Sequence, residues 1–113
     1  MQEKKAMSDA QVEEAARLFA VLAEPTRLKL LRALMDRPHT VTELVEATGF
    51  KQGNVSKQLG MLLAARFVAK EKEGNFARYS ITDPTLQALC TLVCGRIEAA
   101  AAEQLRALSS AER

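Results

Sequence analysis

No apolar run in this 113-residue chain approaches the roughly 18–20 residues needed to span a bilayer. The start, Met1-Gln2-Glu3-Lys4-Lys5, lacks the apolar stretch of a secretory signal. Cysteine is scarce: Cys90 and Cys94 are the only two, four residues apart in one apolar segment. Such a pair does not staple distant loops, which agrees with a reducing compartment. These absences lead to the expectation of a cytoplasmic protein with no membrane partner. Histidine occurs once, as His39 between Pro38 and a helix cap, the setting of a surface loop residue. Together with a cysteine it lacks the third orienting group of a nucleophilic site, and the chain is short for a cleft. A thiol-redox enzyme is therefore the weakest reading, and no catalytic residue is assigned. Internal repeats are absent too.

What is present fits a single domain over residues 1–113. Apolar residues make up 48% and charged residues 27%, ordinary values for a globular chain of this length. The net charge of +2 says little until it is divided along the chain. Residues 1–50 carry 7 bases and 8 acids, 51–83 carry 6 and 3, and 84–113 carry 3 and 3. The whole excess lies in the middle third, which points to an anionic partner there.

Ser8-Asp9-Ala10-Gln11 is a capping box, and Val12, Ala15, Ala16, Phe19, Leu22 and Ala23 follow at helical spacing. Glu24-Pro25 ends that helix and starts a second, expected to bury Leu28, Leu31 and Leu34 and to stop before Pro38. Thr40-Val41-Thr42-Glu43 is another capping box, opening a short helix with Leu44, Val45 and Ala47 inward and Gly49 at its end. A further helix turns Val55, Leu59, Leu62 and Leu63 inward and leaves Gln52, Asn54, Ser56, Lys57 and Gln58 on a polar face. Two helices joined in this way form a helix-turn-helix, spanning residues 40–65.

From residue 67 to 82 the pattern becomes a β-hairpin, with Gly74-Asn75 as its two-residue turn. Ala77, Tyr79 and Ile81 share one face, Arg78 and Ser80 the other. Asp83-Pro84 begins a last helix reaching to about Leu108, along which Leu86, Cys90, Val93, Ile97 and Ala100 step 4-3-4-3 as a seam against another helix. The expected order is four helices, a hairpin and one long helix.

A helix-turn-helix with an adjoining hairpin is a winged helix, a mainly α fold with a small β element. A helix fits the major groove of double-stranded DNA, where polar side chains read base edges. Gln52 and Asn54 suit adenine, Lys57 suits guanine or a phosphate, and Gly53 lets the helix start approach the backbone. Lys70, Lys72 and Arg78 add charge along the hairpin, although Lys70-Glu71-Lys72-Glu73 partly neutralises itself. The DNA-facing set is Lys51, Gln52, Asn54, Ser56, Lys57 and Gln58 from the helix, with Lys72, Asn75 and Arg78 from the wing. A winged helix serving only protein interaction is the alternative.

Leu22-Ala23-Glu24-Pro25-Thr26-Arg27-Leu28-Lys29-Leu30-Leu31 resembles the "LADPTRLxIL" signature of the ArsR/SmtB repressors. Gln52-Gly53-Asn54-Val55-Ser56-Lys57-Gln58-Leu59 is similar to that family's recognition-helix pattern "QxxVSxHL", and Gly74 through Ile81 to its wing. The resemblance covers roughly residues 12–84. It implies a homodimeric winged-helix repressor that leaves its operator on meeting a metal ion or other effector. Three residues depart from the pattern: Glu24 for the usual aspartate cap, Lys51 for a serine cap, and Arg66 for a glycine. Each bears on local stability more than on DNA reading.

The metal sites that the resemblance implies are not matched. No cysteine lies between Val41 and Val45. Thr85 replaces a histidine two residues after Asp83, and Arg96 with Ala99 stands where a later His-x-x-Glu pair would be. Cys90 and Cys94 remain. Four residues apart on a helix they share a face, so both thiols can meet one persulfide, oxidant, soft metal or metalloid. A direct disulfide is disfavoured, because their Cβ atoms would stand about 5–6 Å apart rather than ~3.8 Å. Plain packing of two small apolar side chains is the competing reading. The first and last helices, residues 8–23 and 84–108, are expected to pair two copies, since the last helix's apolar stripe is long for a chain this small.

Overall fold

The computed structural model describes residues 6–111; Met1 to Lys5, read above for a missing signal, lie outside them. The chain divides into two compact units, Met1–Thr82 and Asp83–Arg113.

The first unit opens with α1, Asp9–Leu22. Its capping box is complete: the Gln11 N–H donates to Ser8 Oγ at 3.1 Å, and the Ser8 N–H to Gln11 Oε1 at 2.9 Å. No residue of α1 is buried; Val12 and Phe19, centred on its apolar face, are 50% and 57% exposed.

Helix α2, Pro25–Asp36, starts at a proline and is capped by Glu24, whose carboxylate accepts the N–H groups of Thr26 and Arg27 at 3.2 and 3.3 Å. The longer side chain therefore caps as the usual aspartate would. Leu30, Leu31 and Leu34 are buried, whereas Leu28 is 43% exposed. The expected inward set is corrected there: the buried stripe runs 27-30-31-34, a three-and-four spacing that turns position 28 outward.

Helix α3, Val41–Thr48, has the second capping box, Thr40 with Glu43, and buries Leu44, while Ala47 faces solvent rather than inward. It closes on Gly49 at φ +77°, whose N–H reaches Val45 O at 2.8 Å. Helix α4, Gln52–Ala64, buries Val55, Leu59 and Leu62 completely, with Leu63 half-buried. The chain leaves α4 through Arg66 at φ +65°, the one non-glycine residue with positive φ among those described. A left-handed conformation costs a residue with a Cβ on the order of 1 kcal/mol, so the arginine in a glycine's place holds a strained exit.

The sheet has three strands rather than the expected two. Strands β2, Val68–Glu73, and β3, Phe76–Ile81, form the antiparallel wing. A short β1, His39–Thr40, pairs with the outer side of β3, giving the order β1-β3-β2. His39 is consequently not a surface loop residue. It sits opposite Tyr79, is 5% exposed, and donates from Nδ1 to the Arg37 carbonyl at 2.7 Å. Two residues after Pro38, the second of them the α3 cap itself, are too few for periodicity to reveal a strand. Gly74 at φ +61° supplies the left-handed first position of the wing's two-residue turn.

The core of this unit is Leu30, Leu31, Leu34, Leu44, Val55, Leu59, Leu62, Phe67, Val68 and Tyr79. The second unit is built on α5, Pro84–Ala111, which runs a turn beyond the expected end. Leu86 is buried near its start, while Leu92, Val93, Ile97, Leu105 and Leu108 are exposed.

Candidate nucleic-acid interface

Burial of Val55, Leu59 and Leu62 fixes which way α4 faces. Helical geometry then places Gln52, Gly53, Asn54, Ser56 and Lys57 outward, and all five are exposed together with Lys51. Lys51 gives α4 no side-chain cap. The first backbone amide with a helical partner is that of Val55, which bonds Lys51 O at 3.0 Å. The N–H groups of Gln52, Gly53 and Asn54 thus form an open positive helix end, suited to a phosphate.

Two of the predicted contacts are spent inside the protein. Gln58 is half-buried, accepts from Arg27 Nη1 at 2.8 Å, and donates from Nε2 to Asn54 Oδ1 at 3.1 Å. Arg78 donates to Glu43 Oε1 at 3.0 Å, and to both Glu73 oxygens at 3.1 and 3.3 Å. Glu43 Oε1 also accepts the Thr40 N–H at 2.9 Å, and Arg37 stands 3.8 Å away. The Thr40 N–H is the chief reason that the Glu43 carboxyl is held below its ordinary value, with Arg78 and Arg37 adding to it against burial. Glu73 is the main cause of the raised Arg78 pKa.

On the wing, Lys72 and Asn75 are exposed. Register puts Lys70 and Lys72 opposite Tyr79 and Ala77, and Arg78 opposite Glu71. Paired residues share a face, so the two lysines lie on the opposite face from Arg78. What the sequence reading missed is the long-range bonding of Arg27, of Glu73, and of Glu43 beyond its capping box. Each binds a group far along the chain or across the hairpin turn, and spacing carries no such signal.

Comparison with known proteins agrees with this geometry. Residues 24–70 match the family described as "Bacterial regulatory protein, arsR family". A probable mercury resistance operon repressor of Streptomyces lividans is 40% identical over 77 residues, 68% of this chain and 62% of that protein, so the match spans less than two thirds of its length. An uncharacterised HTH-type transcriptional regulator of Mycobacterium tuberculosis, Rv0081, is 37% identical over 103 residues, 85% of this chain and 90% of its own. The chain belongs to the ArsR family.

Among solved structures, the antimony-specific transcriptional repressor AntR superposes with a TM-score of 0.77 at 37% identity, covering 88% of this chain and 91% of that one. A homodimeric winged helix-turn-helix DNA-binding domain of Mycobacterium bovis gives 0.73 at 26% identity, covering 84% and 91%. The winged helix expected from the sequence is therefore the fold of this ArsR-family chain. Its class is that of DNA-binding transcriptional repressors of the ArsR/SmtB type, which are not enzymes. No helix among the described residues is long and apolar enough to cross a membrane.

Cys90 and Cys94 lie on α5, the first half-buried and the second exposed, and both are free thiols. Burial pushes the Cys90 thiol up, and the neighbouring Cys94 pushes it further. Among the described residues no group of three or more histidine, cysteine or carboxylate side chains could hold a metal. His39 is buried, and its Nδ1 is bonded to the Arg37 carbonyl. Among the described residues, the thiols of Cys90 and Cys94 share one helix face.

Proposed function

We propose that the chain is a homodimeric operator-binding repressor that reads double-stranded DNA with the start of α4. The observation carrying this reading is the uncapped α4 N-terminus, flanked by the exposed Gln52, Asn54, Ser56 and Lys57. Lys51, Lys57 and Lys72 hold phosphates, Asn75 follows the backbone from the wing tip, and Gln52 and Asn54 read bases. Gln58 and Arg78 act from behind, the first through Asn54 and the second by fixing the wing to α3. Two copies pair through α1 and α5, residues 8–23 and 84–108. The uncovered Val12 and Phe19 on one helix, and Val93 and Ile97 on the other, support this pairing. A two-fold dimer calls for a pseudo-palindromic site with half-sites about one helical turn apart.

The test is titration of duplex DNA from the region upstream of the protein's own coding sequence. Binding at low salt, with Gln52→Ala and Asn54→Ala flattening sequence preference, is the expected result. A protein that ignores this DNA is instead a winged-helix interaction module.

Release is assigned to a thiol-reactive effector at Cys90 and Cys94. Two thiols on one helix face suit a soft metal or metalloid, which prefers thiolate ligands, and a dimer would bring four. The likeness to repressors named for antimony and mercury supports this choice over persulfide or oxidant. The Cys90→Ser/Cys94→Ser protein should bind DNA normally and stay bound when arsenite or antimonite is added. Release equal to the parent's would leave the two cysteines as packing residues only.

A further inference from the structure

Arg27 is 8% exposed, and an arginine this deep requires partners for its guanidinium. Nε donates to the Val21 carbonyl, in the last turn of α1, where free carbonyls and the helix dipole favour a cation. Nη1 donates to Gln58 Oε1 at 2.8 Å and lies 3.3 Å from Met61 Sδ, both on α4. The acceptor end of the Gln58 amide is thereby fixed inward. Its donor end must then point away, and it meets Asn54 Oδ1 at 3.1 Å. A hydrogen-bonded line thus runs from the end of α1 through a buried cation to an exposed residue on the start of α4.

The line has a direction that chemistry imposes. Arginine only donates, so Gln58 must accept there and donate onward, and Asn54 must receive with its oxygen. The Asn54 amide consequently presents its NH₂ group outward, with one lone pair of Oδ1 still free. An unrestrained asparagine exchanges its oxygen and nitrogen by a half-turn of the amide. Reading adenine needs the two ends in one order, with oxygen toward the N6 amino group and nitrogen toward N7. Resting on the reading that Asn54 contacts bases, we propose that Arg27 is a positioning residue for sequence recognition, setting through Gln58 which way the Asn54 amide faces the DNA.

The experiment selects bound duplexes from a randomised-sequence DNA pool with the full-length parent, Arg27→Lys, Gln58→Leu, Asn54→Ala and the Arg27→Lys/Asn54→Ala double variant. Asn54→Ala should erase preference at one base pair per half-site. Arg27→Lys and Gln58→Leu should each reduce preference at that same base pair about tenfold, within the range for one bidentate contact. Other positions should be untouched, and the salt dependence of Arg27→Lys should match the parent's, since the buried guanidinium meets no phosphate. In the Asn54→Ala background Arg27→Lys should add nothing at that base pair, the non-additivity expected of residues acting in line. Should Arg27→Lys fail to fold, Gln58→Leu carries the comparison, because it leaves Arg27 its bonds to Val21 and Met61. Parental preference in Gln58→Leu, at a base pair that Asn54→Ala erases, overturns the proposal while base reading by Asn54 stands. Preference unchanged by Asn54→Ala itself overturns both.

Discussion

Raising the salt concentration should weaken DNA binding with a slope set by three lysines per protomer and not by Arg78. Lys51, Lys57 and Lys72 are exposed on the proposed DNA face, while Arg78 is bonded to Glu43 and Glu73. A dimer then neutralises about six phosphates, and at about −0.9 per contact the plot of log K against log salt should fall with a slope of about −5. Between about 50 and 200 mM salt the affinity should drop about two-thousandfold. Lys72→Ala removes two contacts per dimer, bringing the slope to about −3.6 and the drop to about 150-fold. Arg78→Ala should lower affinity by loosening the wing, yet keep the slope near the parent's. Fluorescence anisotropy of a labelled operator duplex at five or so salt concentrations measures all three. A slope that falls by about two for Arg78→Ala and stays fixed for Lys72→Ala would refute the assignment of charges.

Replacing Arg66 with asparagine, which tolerates the left-handed conformation better, should stabilise the fold by about 0.5–1 kcal/mol, read as a higher urea midpoint with unchanged m-value. The lowered Glu43 carboxyl makes stability depend on acid in a definite sense. A carboxyl whose folded pKa lies below its unfolded value adds stability above the ordinary carboxylate range and loses it as pH falls through the folded pKa. Glu43→Gln should therefore flatten the acid limb of a stability-against-pH curve, and an acid limb equal to the parent's would contradict the role given to this residue.

Much of the fold is legible because it is written locally. Both capping boxes, the Gly49 stop and the Gly74-Asn75 turn lie within windows of four residues, and each forms as expected. Leu28 shows where local reading fails, since a stripe of alternating leucines and bases offers two adjacent phases and burial selects one. β1 was invisible for another reason: two residues gain strand geometry only from β3, some forty positions later. The polar face of α4 could be read as exposed, but not that Gln58 and Arg78 are held by Arg27 and by Glu43 and Glu73. Ion pairs and amide links between separate elements are set by the packed distances, which composition does not contain.

One oxygen of Glu43 receives both the N–H that starts α3 and the guanidinium that comes from the wing. Helix start and wing are in this way referenced to a single atom. Through α3, which packs on α4, that atom fixes the lateral offset between the hairpin and α4. On the proposed reading, in which α4 and the wing both meet DNA, a duplex whose groove-to-groove spacing departs from that offset must bend or forgo one set of contacts. Discrimination by duplex shape would thus originate in a helix cap that touches no nucleotide.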